Sequence, residues 1–191
     1  TVVHHPQDAR IRHREIAALL AAGWRVTYAA PFGGYPQSWG AEPAGLRQVE
    51  LPRAAGRHRT GALRAARALL AAEGDRHDVI LLHDPELLLA LPGLRLPPVV
   101  WDVHEDTAAA TSTKPWLPGP LRRPTRGLVT AVERLAERRV HLLLAEDGYR
   151  DRFAGQHLVV PNTVGVPEQG GPPGDGRVGY VGQLTRARGA E

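Results

Sequence analysis

The sequence predicts an α/β domain built on an open parallel sheet with helices on both faces. Two observations carry this. Short β-type runs alternate with amphipathic helical runs along the chain. Polar and titratable residues also gather just after the β-type runs, where an open parallel sheet presents its ligand crevice.

The predicted strands are Thr1–His4, Trp24–Ala29, Leu46–Leu51, Val79–His83, Val99–Val103, His141–Ala145 and Leu158–Val160. The first is short for a central strand and the chain has no methionine, so its natural start is expected to lie outside this sequence. Ile11, Ile16, Leu19 and Leu20 recur at helical spacing within Ile11–Ala22, and Gly23 is a good stop. Leu63–Ala72 and Pro124–Arg139 are helical by the same test, with Pro124 at a first-turn position and Leu128, Val132, Leu135 and Ala136 on one face. Pro31–Gly45 and Thr107–Gly119 are predicted loops, long enough to be functional. This makes residues 1–162 one Rossmann-like domain. Thr163–Gly176 has no periodicity and is predicted to be an interdomain linker. Residues 177–191, beginning with the strand Arg177–Val181, are expected to open a second domain that breaks off early.

Composition narrows the function classes. The most apolar region, Val79 to Trp101, is broken by His83, Asp84, Glu86, Arg95 and several prolines, so it does not read as a membrane span. There is no cysteine, which removes disulfides and thiolate metal sites, and no secretion signal, which makes the cytoplasm the expected compartment. Lys114 is the only lysine among 24 basic residues, and Arg, Ala, Gly and Pro are abundant throughout. That points to codon bias rather than a nucleic-acid surface, although the net charge of +4 favours anionic partners.

The strand ends carry the chemistry. They read His4-His5-Pro6-Gln7-Asp8, His83-Asp84-Pro85-Glu86, His104-Glu105-Asp106, Glu146-Asp147 and Pro161-Asn162. No G-x-G-x-x-G follows the first run and no G-x-x-x-x-G-K-[ST] occurs, which removes the usual dinucleotide and P-loop sites. There is no G-x-S-x-G elbow for a serine nucleophile. No histidine pair has helical i, i+4 spacing, and neighbours on a strand point to opposite faces, so no metal site is expected.

As an ordered set, these motifs resemble family-4 glycosyltransferases of the GT-B architecture. The residues that carry the likeness are Asp8-Ala9-Arg10-Ile11, His83-Asp84-Pro85-Glu86, Asp102-Val103-His104-Glu105-Asp106, Val159-Val160-Pro161-Asn162, and Gly179-Tyr180-Val181-Gly182-Gln183-Leu184-Thr185 with Arg188-Gly189. The resemblance implies two Rossmann-like domains facing across a cleft, the amino-terminal one contacting a hydroxyl-bearing acceptor and the other holding a nucleotide-diphosphate sugar. It further implies retention of anomeric configuration, no cofactor and usually no metal.

On that footing His104 is the expected catalytic residue, orienting the donor sugar by hydrogen bonding one of its hydroxyls. His4, His5, Asp8, His83, Asp84, Glu86, Glu105 and Asp106 are expected acceptor contacts, whereas Asp102 is expected to serve structure. A glycosyl transition state builds positive charge on the ring and negative charge on the diphosphate, so cations belong near the phosphates. Arg10, Gly182, Gln183, Arg186 and Arg188 are the expected donor contacts, although Gln183 stands where many members carry arginine. The pair of glutamates that typically marks the donor site would lie beyond Glu191, so the 191 residues alone are expected to be inactive. The basic run Arg122-Arg123-Pro124-Thr125-Arg126 has two readings, an attraction for anionic membrane headgroups or the solvated face of a helix. Two other functions fit the same residues: a non-catalytic module binding a glycan or phosphorylated ligand, and a sugar-nucleotide epimerase of the same architecture.

Overall fold

The computed structural model describes residues 1–35, 42–105, 119–163, 174 and 176. They form an α/β fold of six parallel strands. Strands β1 (Val26–Ala30) and β2 (Leu46–Glu50) make a two-stranded sheet. Strands β3 (Ile80–Leu82), β4 (Val99–Val103), β5 (His141–Leu144) and β6 (Leu158–Val159) make a second sheet in that order. Because all neighbours run parallel, every connection crosses back over a sheet. Helix α2 (Arg59–Glu73) joins β2 to β3, and helix α3 (Gly119–Glu137) lies between β4 and β5 in sequence. Six-residue 3₁₀ turns, Pro85–Ala90 and Asp147–Arg152, serve the other crossings of the larger sheet.

Thr1–His4 differs from its sequence reading. It is not a strand, because its backbone is held by a side chain and single contacts instead of a ladder. Val2 N–H donates to Asp84 Oδ2 at 2.5 Å, the Thr1 amino group donates to Ala29 O at 3.0 Å, and Ala54 N–H donates to Val2 O. The predicted helix over Ile11–Ala22 appears as a π-helical turn, Ile11–Ile16, running into α1 (Ala17–Ala21). It stops at Gly23, whose φ of 84° favours glycine.

Each sheet has its own core. Trp101, Val103, Leu142 and Leu144 from β4 and β5 pack with Val2, Leu82, Ala62, Ala66 and Phe153, and the Trp101 and Phe153 rings meet edge to face at 6.3 Å. Ile11, Ile16, Tyr28, Ala30, Phe32 and Leu46 form the second cluster. Helix α2 buries Ala62 and Ala66, one turn apart, and Arg67 ties it to the neighbouring turn by donating to Ala90 O and Pro92 O. Gly74 closes the helix where a Cβ would sit 2.5 Å from Leu96 Cδ2, so a larger residue there would need the Leu96 side chain to turn aside.

Helix α3 begins five residues before Pro124, which therefore lies inside it. Its inward residues are Glu133 and Ala136, with Val132 half-buried. Leu128 and Leu135, expected on the packed face, are 66% and 54% exposed. Leu135 sits one residue, about 100°, around the helix from Ala136. No described helix is long and apolar enough to cross a membrane. The linker over 163–176, the start of the second domain and the Thr107–Gly119 loop lie wholly or largely outside the described residues.

Truncating the fully buried Leu144 to Ala should destabilise the fold by about 2–5 kcal/mol, while Leu128→Ala should change stability by less than about 0.5 kcal/mol. Midpoints and slopes of urea unfolding check both.

Candidate functional site at the carboxyl edge of the sheets

Strand β4 reads VVWDV and is buried almost throughout. Side chains alternate along it, so Trp101 and Val103 share the core face while Asp102 and His104 share the other. Asp102 is completely buried and accepts four hydrogen bonds. Arg10 grips it with two, from Nε at 2.8 Å and Nη2 at 2.6 Å. His104 Nδ1 lies 2.9 Å from Oδ2 and His83 Nδ1 lies 3.3 Å from the same oxygen. Such saturation is what makes a buried charge tolerable.

The contacts continue on either side. His104 Nε2 is 3.1 Å from His4 Nε2, which is 3.2 Å from Asp84 Oδ1. In the other direction His83 Nε2 faces Glu15 Oε2 at 3.5 Å, and Glu15 Oε1 is 3.2 Å from Arg10 Nε. Glu15, His83, Asp102, His104, His4 and Asp84 thus form one connected series. Two strand ends, the amino-terminal segment and the first helical turn each contribute to it.

Electrostatics assigns the protons. Burial pushes Asp102 upward, but the hydrogen bonds from His104, His83 and Arg10 together outweigh it and hold the carboxyl well below the usual range. Burial lowers His104 too, yet its hydrogen bond to Asp102 and that carboxylate's charge raise it overall. His83 goes the other way, since burial outweighs its bond to Asp102 and brings it to about 4. Glu15 is pushed up to about 8 by burial, reinforced by the charge on Asp102. At neutral pH Asp102 and Arg10 therefore form the buried ion pair, His83 is neutral with Nδ1–H donated to Asp102, and Glu15 holds a proton.

The expected site residues divide into four groups. His4, His83, Asp84 and His104 come together, with Asp84 also receiving Thr1 Oγ1–H and Val2 N–H. Three others have structural partners. Asp8 accepts from the backbone N–H of Arg10 and Ile11 and so caps the helical turn, His5 Nδ1 accepts from Gln7 N–H, and Glu86 pairs with Arg59 at 2.6 Å. Glu105 is exposed beside His104, and Asp106, Gly182, Gln183, Arg186 and Arg188 lie outside the described residues. Arg10 is a correction: it is 3% exposed, and its nitrogens go to Asp102 and Val160 O, so it neutralises a carboxylate and does not face a phosphate.

Asp102 has the structural role expected of it, as the buried partner of Arg10, and it also orients His83 and His104. The signal for that second role was its i, i+2 relation to His104 on one strand. Glu15 and Arg14 were also missed. Arg14 holds the end of β6 by donating to Asn162 Oδ1 and Pro161 O, both at 2.9 Å. Tyr35 stands near the amino-terminal segment, with its ring edge-on to His5 at 4.3 Å and the Arg53 guanidinium over it at 4.5 Å. His83, Asp102 and His104 also offer ligand atoms within 4.8 Å of one another, a geometry that could admit a metal ion. The guanidinium already bound to both Asp102 oxygens opposes a second cation there, so the set is better suited to hydrogen bonding.

Asp102→Asn should destabilise the protein by about 3–5 kcal/mol, because it leaves Arg10 buried without its counter-charge. Arg10→Met should cost a similar amount, and the double variant should cost less than the sum; urea unfolding measures the cycle. The raised Glu15 carboxyl binds a proton in the folded state that the unfolded chain releases near 4.5. Stability from this group is present below pH 4.5 and lost as pH rises towards about 8. Glu15→Gln should therefore flatten the fall in Tm between those pH values, and an unchanged profile would remove Glu15 from the series.

No protein-family model, curated protein or solved structure matches the chain, so its function is argued from the residues themselves.

Proposed function

We propose that this domain is the acceptor-side half of a retaining glycosyltransferase of the GT-B architecture, moving a sugar from a nucleotide-diphosphate donor to a hydroxyl acceptor. The observation that carries the reading is the Asp102–His104 pair at the carboxyl end of β4, on the edge where an open parallel sheet binds its ligands. A carboxylate on Nδ1 fixes the ring's orientation and tautomer and directs Nε2 at His4 Nε2, so the two imidazoles would act on a ligand together. Proton affinity raised by Asp102 suits His104 to donating a hydrogen bond near neutral pH. In glycosyl transfer such a group aligns a sugar hydroxyl. His4, joined to His104, and exposed Glu105 are the adjacent acceptor contacts.

The donor's diphosphate falls to the second domain of this architecture, with Gly182, Gln183, Arg186 and Arg188 as contacts. Arg10 has a different role in the reading, anchoring the carboxylate that orients His104.

The test is product analysis of the full-length encoded polypeptide with a panel of nucleotide-diphosphate sugars and hydroxyl acceptors. The expected result is a glycoside with retained anomeric configuration. His104→Ala should lower kcat by about 10²–10³ with the circular dichroism spectrum preserved. Undiminished turnover in that variant would reduce His104 to a structural role. Conversion of the donor without any acceptor would make the protein an epimerase, and glycan binding without transfer would make it a recognition module.

A further inference from the structure

The loop from β2 to α2 reads Pro52-Arg53-Ala54-Ala55-Gly56-Arg57-His58 and leaves β2 at its carboxyl end, the edge that carries His4 and His104. It is fastened at both ends. Ala54 is buried, and its N–H donates to Val2 O at 2.8 Å, two residues before His4. Just past the loop, Arg59 pairs with Glu86 in the turn that follows β3. Between these points the chain turns through Gly56, whose φ of 50° favours glycine, and Ala55 O accepts from His58 N–H. Arg53, Arg57 and His58 are exposed on this anchored loop.

Arg53 is the most firmly placed of the three. Its stem crosses Gly34, where a Cβ would sit 3.2 Å from Arg53 Cβ and 3.3 Å from Cδ. Its guanidinium lies over the Tyr35 ring at 4.5 Å. That ring meets His5 edge-on at 4.3 Å, and its hydroxyl donates to Val3 O at 3.4 Å. Stacking occupies the face of a guanidinium and leaves its in-plane N–H donors for another partner. Among the described residues neither Arg53 nor Arg57 has a carboxylate in ion-pair contact. The acids around them are engaged elsewhere: Glu50 accepts Gly33 N–H, Glu86 holds Arg59, Asp8 caps the first helical turn, and Asp84 receives Thr1 and Val2. Two guanidinium groups four residues apart, held beside the site without a counter-charge, form a receptor for an anion.

We propose that the acceptor carries a phosphomonoester, bound by Arg53 and Arg57 with His58 beside them, and presents its hydroxyl towards His4 and His104. That the anion belongs to an acceptor rests on the glycosyl-transfer reading; the anion site itself does not. A phosphomonoester matches the loop better than a carboxylate, because at neutral pH it carries most of a second negative charge and offers three oxygens to two guanidinium forks. Tyr35 packs on His5, and the neighbouring His4 meets His104 at 3.1 Å, so residue contacts run without a break from the anion site to the reacting centre.

The experiment has two parts. The 191-residue chain is titrated with inorganic phosphate, and separately with acetate and chloride at matched ionic strength, following the Arg53 Nε–H and Tyr35 ring resonances by NMR. Phosphate should bind saturably with a Kd of millimolar order, and Arg53→Gln and Arg57→Gln should each weaken it at least about tenfold. Arg95→Gln removes the same charge from an exposed position ahead of β4 and should leave binding unchanged. Absent binding, retained affinity in either loop variant, or equal binding of acetate would overturn the proposal. In the second part the full-length polypeptide is assayed with paired acceptors, glycerol against glycerol phosphate and glucose against glucose phosphate. The phosphorylated member should be preferred at least about tenfold in kcat/KM, and Arg53→Gln should abolish the preference by raising KM at unchanged kcat. Transfer without that preference overturns this inference and leaves the glycosyl-transfer reading standing. Phosphate binding that depends on both arginines, with no transfer to any acceptor, supports the anion site and overturns the glycosyl-transfer reading.

Discussion

The fold converges on the carboxylate of Asp102. It arrives on a strand whose other residues are apolar and mostly buried, so its charge is stable only while Arg10 and the two imidazoles remain in place. Those partners come from the helical turn after the amino-terminal segment and from the ends of β3 and β4. Their arrangement amounts to a condition on how the elements pack. A shift of any of these elements by an ångström would lengthen bonds that are now 2.6–3.3 Å and leave a charge stranded in the interior.

This hub also sets its neighbours' properties apart. His83 and His104 touch the same oxygen of Asp102, yet one is driven towards neutrality and the other towards the protonated form. Burial makes the difference, since His83 is the more enclosed of the two. Two histidines of equal chemistry thus act as a fixed donor and as an adjustable one. Glu15 fits the same logic: with Arg10 committed to Asp102, a second buried carboxylate has no full counter-charge and keeps its proton.

Much of the fold was legible in the sequence because apolar periodicity is a local property. The strands Leu46–Glu50, Val99–Val103 and His141–Leu144 and the helix through Leu63–Ala72 follow the runs that predict them to within a few residues. Thr1–His4 departs because a strand needs neighbours in register, and these residues bond mainly to the side chain of Asp84. Several of the titratable residues that follow the strands do meet, at the carboxyl ends of β3 and β4. Which of them meet was not legible. Arg10 lies 92 residues from Asp102 in sequence, and its choice of a carboxylate over an incoming anion is decided by packing. Residue type alone likewise cannot show that Asp8 is occupied as a helix cap while Asp102 is the centre of a network.

The end of β6 is held by the same helical turn that serves the site. Arg10 bonds to Val160 O, and Arg14, one turn on, bonds to Pro161 O and Asn162 Oδ1. The point where the chain departs the sheet is therefore clamped by a residue whose remaining nitrogens hold Asp102. The exit of the chain from the sheet and the orientation of the His104 imidazole therefore depend on one and the same guanidinium.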